Sequence, residues 1–213
     1  MRPLRIRATP FDVGVDREQL ERDIRQLCEE ASWAAAATRA IEGYGPELLG
    51  FLYAALGDED DARDGFSIFS EALFVGLPRF RWQCQFRTWA YALARSAMGR
   101  VLRDPRRADR HVALSEVPEP ELNAHQEART VTSPFLKSDV KARVRSLRAE
   151  LAPEDQALLS LRVDRGMAWR DVAVVMAGTD ADDAALARET ANLRKRFERI
   201  KQRIRALAPS PEA

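Results

Sequence analysis

Between Phe80 and Arg95 the chain interleaves aromatic and cationic side chains: Phe-Arg-Trp-Gln-Cys-Gln-Phe-Arg-Thr-Trp-Ala-Tyr-Ala-Leu-Ala-Arg. Aromatic faces stack on unpaired bases while guanidinium groups neutralise phosphate, so this pattern suits single-stranded DNA. Arg79, Phe80, Arg81 and Trp82 fall in a loop, and Arg87, Tyr91, Arg95 and Arg100 share one face of the helix after it. Phe86 and Trp89 belong instead to the apolar stripe of that helix and are expected in the core. A second cationic set lies near the end of the chain, where Arg194, Lys195, Arg196, Arg199, Lys201, Arg203 and Arg205 surround a stripe of Leu193, Phe197, Ile200, Ile204 and Leu207. A helix with one buried stripe and a cationic remainder docks on a small domain and still faces a polyanion. Both sets bind; neither makes or breaks bonds.

Bond-making chemistry finds no support elsewhere. There is no phosphate-cradling glycine loop, HExxH, GxSxG or paired His/Cys arrangement. Cys28 and Cys84 form no CxxC, and His111 and His125 lack ligand spacing. The acidic run Asp58–Asp61 lacks the glycine and terminal glutamate of an EF-hand loop. No enzyme activity, cofactor or metal is expected. Two cysteines make no disulfide framework, no run of apolar residues is long enough to span a membrane, and Met1–Phe11 has no signal-peptide pattern. A cytoplasmic protein is the expectation.

The elements that position these residues are all helical. Leu20, Ile24, Leu27 and Ala31 hold a helical period from Asp16 to about Glu42, with Gly43 and Gly45 expected to end it. Pro46 is expected to open a second helix, with Leu49, Leu52, Tyr53 and Leu56 on one face until Gly57. The acidic run opens a third, where negative charge suits the helix dipole, placing Phe66, Phe69, Leu73 and Leu77 inward and stopping at Pro78. The fourth starts near Phe86. Residues 104–136 hold four prolines and little apolar content and read as a linker. Val140, Val144 and Leu147 mark a weak helix over 137–151, Pro153 opens another, and Trp169, Val172, Ala173 and Met176 form a short stripe. The stretch 178–188, rich in aspartate, reads as a long connection before the basic helix, longer than a helix-turn-helix requires. The prediction is an all-α chain of two small helical domains, 16–103 and 137–207, with an arm at 1–15 and a tail at 208–213.

Charge is segregated beneath a net charge of +1. Residues 190–205 carry seven Lys/Arg against one acid, residues 81–110 eight Arg against two Asp, and residues 58–64 five acids against one Arg. The pattern predicts two anion-facing patches and one acidic face.

The residues in order resemble the extracytoplasmic-function (ECF) group of bacterial RNA polymerase sigma factors. The resemblance rests on Asp61-Ala-Arg-Asp64, Phe80-Arg81, Phe86-Arg-Thr-Trp89 and Leu93-Ala-Arg95 for the promoter-melting domain, region 2. For region 4 it rests on Leu151-Ala-Pro-Glu-Asp155, Leu158-Leu-Ser-Leu-Arg162, Gly166-Met-Ala-Trp-Arg-Asp171 and Leu193-Arg-Lys-Arg-Phe197. It implies a protein that binds core RNA polymerase, recognises minus-35 and minus-10 promoter elements and promotes melting, with an anti-sigma factor as a possible partner. Asp61, Asp64, Phe69 and Glu71 would occupy the polymerase-binding stretch. The loop Arg79–Gln85 would capture a flipped minus-10 base. The basic helix, with Arg170 from the helix before it, would contact the minus-35 element. Ser67-Ile68 stands where the family usually has Gln-Glu, and Ser96 where it usually has Asn. Two other readings fit the same residues less fully: a stand-alone helix-turn-helix regulator, and an all-α interaction module derived from a sigma factor.

Overall fold

The computed structural model describes residues 16–105, 107, 146 and 150–207. Among them there is no strand. The chain runs as α1 (Arg17–Glu29), α2 (Trp33–Leu56), α3 (Glu59–Gly76), α4 (Phe86–Arg103), α5 (Pro153–Leu159), α6 (Trp169–Ala177) and α7 (Asp183–Leu207). The expected arm at 1–15, the tail, most of the linker and all but the last residues of the weak 137–151 helix lie outside the described residues.

α1 begins where Asp16 Oδ1 accepts from the Glu18 and Gln19 amides at 3.1 and 3.2 Å. It ends thirteen residues before the expected break. Ser32 N donates to Leu27 O at 2.8 Å and Ala31 N to Cys28 O at 3.0 Å. With Ala31 at φ 55°, these bonds form a Schellman stop built on alanine instead of glycine. The glycines and proline expected to separate two helices lie inside α2. Pro46 removes the amide that would bond to the Glu42 carbonyl, yet α2 stays continuous because it packs against α1, α3, α4 and α5. Ala36, Ala40, Tyr44, Leu48, Phe51, Leu52 and Ala55 are all buried along it. Gly43 is the point where α1 crosses closely, since a Cβ there would stand 2.3 Å from Leu20 Cδ2. Tertiary packing overrides local breaking signals here.

α2 ends at Gly57, in the left-handed conformation at φ 76°. Asp58 caps α3, its Oδ1 accepting from Asp61 N at 2.9 Å, and Phe69, Leu73 and Leu77 enter the core as their spacing predicts. Pro153 opens α5 as expected, and a π-helical turn, Ser160–Asp164, leads from it toward α6. The long connection before the basic helix proves shorter than its composition implies. α7 starts at Asp183, and Asp182 caps it through a 2.6 Å bond from Ala185 N. Only residues 178–182 join α6 to α7. Aspartates read as loop formers are a helix cap and first turn.

α1–α4 form one packed unit and α5–α7 a second. The two touch: α5 lies on α2 and α6 lies on α4. One hydrophobic cluster spans both units.

Candidate nucleic-acid interface

The loop 80–85 is held by ring packing. Phe80 stacks on Trp89 with centroids 4.5 Å apart and planes 17° from parallel. Trp82 leans on Phe80 at 4.8 Å and on Phe86 at 6.3 Å. Phe86 and Trp89 are buried, as their stripe requires, while Phe80 and Trp82 are half-buried above them. Trp82 has φ 56°, a left-handed conformation uncommon for so bulky a residue. The backbone is therefore turned to seat this ring. The Arg25 guanidinium of α1 lies 5.3 Å from the centroid of Trp82, a cation over its face. Arg79 and Arg81 flank the cluster and are exposed.

Two carboxylates set the start of α4, and neither was singled out from the sequence. Glu21 reaches from α1 to accept from Phe86 N and Arg87 N, both at 2.9 Å, and from the Tyr44 hydroxyl at 2.8 Å. It thus satisfies two amides that the helix start leaves open. Burial, and then the Glu21 charge, push the Tyr44 hydroxyl pKa up. Glu47 of α2 is buried and accepts from Arg87 Nε at 2.8 Å, with Arg17 at 3.6 Å. Burial pulls the Arg87 pKa down, but the hydrogen bond and charge of Glu47 outweigh it and leave it raised. Glu47 carried one signal, an acid in a mostly apolar helix. Glu21 looked like any solvated charge.

The predicted α4 face is corrected on burial. Tyr91 is fully buried, edge-on to Phe51 at 5.3 Å, because the second unit and the core enclose it. Its hydroxyl pKa is raised by that burial. Arg87 is committed to Glu47, and the half-buried Arg95 pairs with Glu154 of α5 at 3.2 Å. Only Arg100 of this set is exposed, in a shallow cleft with Asp64 and Ser67 between α3 and α4.

The α3 set is corrected in the same way. Asp61 is 2% exposed and accepts from Arg107 Nε at 2.6 Å; Phe69 is in the core. Neither presents itself to a partner in this arrangement. Asp64 and Glu71 are exposed, and so are Phe74 and Val75 at 53% and 58%. Those two apolar residues sit off the stripe that Phe66, Phe69 and Leu73 define, which was the signal for them.

On the second unit Leu193 and Ile200 are buried, so the α7 stripe is as read. Trp169 meets Phe197 edge-on at 5.5 Å, with Arg162 and Arg194 over its ring at 5.1 and 5.8 Å. Arg194, Lys195 and Arg199 are exposed. Arg196 is held by Asp155 at 2.5 Å, Lys201 by Glu198 at 2.7 Å, and Arg170 by Asp183 at 2.7 Å.

A loop of stacked aromatics between exposed arginines has the chemistry to stack on unpaired bases and pair with phosphate. Residues 40–108 match the family model for sigma-70 region 2. That model describes one region of the sigma-70 transcription initiation factors, and the match covers about a third of the chain. Region 2 as matched covers α2 from Ala40, all of α3 and α4, and the aromatic loop between them. α1, which supplies Glu21 and Arg25, lies before it. No curated protein matches the chain. Among the described residues no helix is long and apolar enough to cross a membrane.

Proposed function

We propose that this chain is a sigma factor of the ECF group that binds core RNA polymerase, recognises minus-35 and minus-10 promoter elements and promotes DNA melting. The carrying observation is the region 2 match falling on a loop where Phe80 and Trp82 are half-exposed between Arg79 and Arg81. Phe80 and Trp82 receive an extruded minus-10 base, and stacking on an aromatic contributes about 1–3 kcal/mol per base. α3 offers core polymerase Asp64 and Glu71 with Phe74 and Val75 beside them, an acidic and apolar surface. α6 and α7, joined by the short turn 178–182, act as a helix-turn-helix, with Arg194, Lys195 and Arg199 toward the minus-35 duplex. Asp61 and Phe69 serve by shaping α3, and Arg196, Lys201 and Arg170 join the DNA contact by exchanging their carboxylate partners for phosphates.

Reconstitution with core polymerase tests this directly. Co-elution with core and run-off transcripts from genomic promoter fragments are expected. Failure to bind core, with no transcript from any fragment, overturns the proposal. Tight and specific duplex binding by the free chain alone would establish a stand-alone regulator instead.

A further inference from the structure

Glu21, Arg25 and Glu29 stand four residues apart and form one row along α1. Glu21 anchors α1 to the start of α4, accepting from Phe86 N and Arg87 N at 2.9 Å. Buried Ile24 and Cys28 hold the helix down beside that row. Arg25 is thus fixed at its backbone, while its side chain is 60% exposed. The guanidinium stands 5.3 Å from the Trp82 centroid, and its Nε donates to Glu29 Oε1 at 3.1 Å. Phe80 and Phe86 lean on Trp82 with their planes tilted by 50° and 38°. Among the described residues no ring lies flat on Trp82, and the group over its face is the Arg25 guanidinium.

We infer that Arg25 is the second wall of the base site: an extruded base enters between the Trp82 ring and the Arg25 guanidinium and stacks on both. This rests on the reading of the loop as the place of base capture, and adds to it a residue from a helix that precedes the region 2 match. The distances allow it. Two flat contacts of about 3.5 Å each need about 7 Å between ring and guanidinium. The guanidinium therefore has to lift by about 2 Å from its resting place over the ring. A long, largely exposed side chain makes that shift by changing rotamer. Its tie to Glu29 does not prevent the shift, because an exposed pair one turn apart on a helix is weak. In the free chain the cation rests on the indole by cation–π attraction. A base replaces that one contact with two stacked ones, since a planar guanidinium stacks on aromatic faces. Lysine carries the same charge without the plane. Glu29 competes with the base for the same guanidinium.

The test uses the full chain with core polymerase and single-stranded promoter fragments that carry the minus-10 element. Removing each base in turn, to leave an abasic sugar, finds the position whose base contributes to affinity, read by fluorescence anisotropy. Arg25→Ala is expected to bind the intact fragment about tenfold more weakly than the unaltered chain does. It should bind the fragment abasic at that position as tightly as the unaltered chain. Arg25→Lys, which keeps the charge, should recover little of the loss. Glu29→Gln should tighten the intact fragment by about twofold, and the abasic one by less. Equal weakening on intact and abasic fragments, with full recovery in Arg25→Lys, makes Arg25 a phosphate contact and overturns the stacked wall. A lower urea midpoint in Arg25→Ala with unchanged DNA affinity makes the cation a packing partner of Trp82 only, and overturns it too. Base dependence that Arg25→Ala retains in full overturns the wall and leaves base capture by the loop standing. If no base removal alters binding by the unaltered holoenzyme, base capture itself fails and the wall falls with it.

Discussion

At the scale of single residues, Trp82 and Cys84 show how one loop serves two masters. Trp82 is seated on Phe80 and Phe86 but only half-buried, so it contributes to packing and keeps a surface for stacking. Trp82→Ala is expected to lower stability by about 1–2 kcal/mol, less than a fully buried tryptophan would, and to abolish promoter opening in the holoenzyme. Urea unfolding gives the first quantity, and permanganate reactivity of promoter thymines gives the second. Normal reactivity removes Trp82 from the melting step. Two residues on, burial and then the charges of Asp171 and Glu21 push the Cys84 thiol pKa up to about 11. The thiolate is the reactive form, so alkylation by iodoacetamide should stay slow at neutral pH and accelerate until about pH 11. A raised thiol pKa also means stability that is present below the unfolded value and is lost as pH rises through the folded one. Asp171→Asn is expected to shift the alkylation profile to lower pH, and a profile typical of a free thiol would show that the loop is not packed as described.

At the scale of elements, two helix ends govern the site. α1 stops on Ala31 at φ 55°, where an alanine pays a left-handed penalty that glycine does not. Ala31→Gly is therefore expected to raise stability by about 1 kcal/mol, read as a higher urea midpoint at constant slope. A lowered midpoint would mean that the Schellman stop does not form. At the start of α4, Glu21 accepts three hydrogen bonds that join α1, α2 and α4. Glu21→Ala leaves two amides and the Tyr44 hydroxyl without that acceptor, and should cost about 1–3 kcal/mol. Because it also frees the first turn of α4, promoter opening should fall further than polymerase binding does. Equal loss of both would place Glu21 in general stability only.

At the scale of the whole molecule, a chain of net charge +1 carries two basic patches, on α4 and on α7. The α4 patch is largely answered internally, by Glu47 for Arg87 and Glu154 for Arg95. The α7 patch keeps Arg194, Lys195 and Arg199 exposed. DNA affinity of the holoenzyme should thus fall steeply with salt, and removing one phosphate-binding cation should lessen the logarithmic slope by about 0.9. The Arg194→Ala, Lys195→Ala, Arg199→Ala triple variant is expected to lessen it by up to about 3. An unchanged slope would put the minus-35 contact elsewhere on the surface.

The sequence by itself determined the all-helical class, the stripes of α3, α4 and α7, and the aromatic loop, because each is written in local spacing. Phe69, Phe86, Trp89, Leu193 and Ile200 went where a 3.6-residue period sends them. Only the tertiary structure decided the rest. Gly43, Gly45 and Pro46 signal a break locally, yet the neighbours of α2 keep it whole, and the break moved to an alanine that carries no such signal. Glu21 is a polar residue like many others, and Glu47 only an acid in a mostly apolar helix, until α4 arrives beside them across the fold. Asp61, Tyr91 and Arg95 looked available because a sequence shows which face of a helix a residue occupies, and not what comes to cover that face. Burial is set by contacts between residues far apart in the chain, such as Arg95 with Glu154 or Asp61 with Arg107, and no local period encodes those.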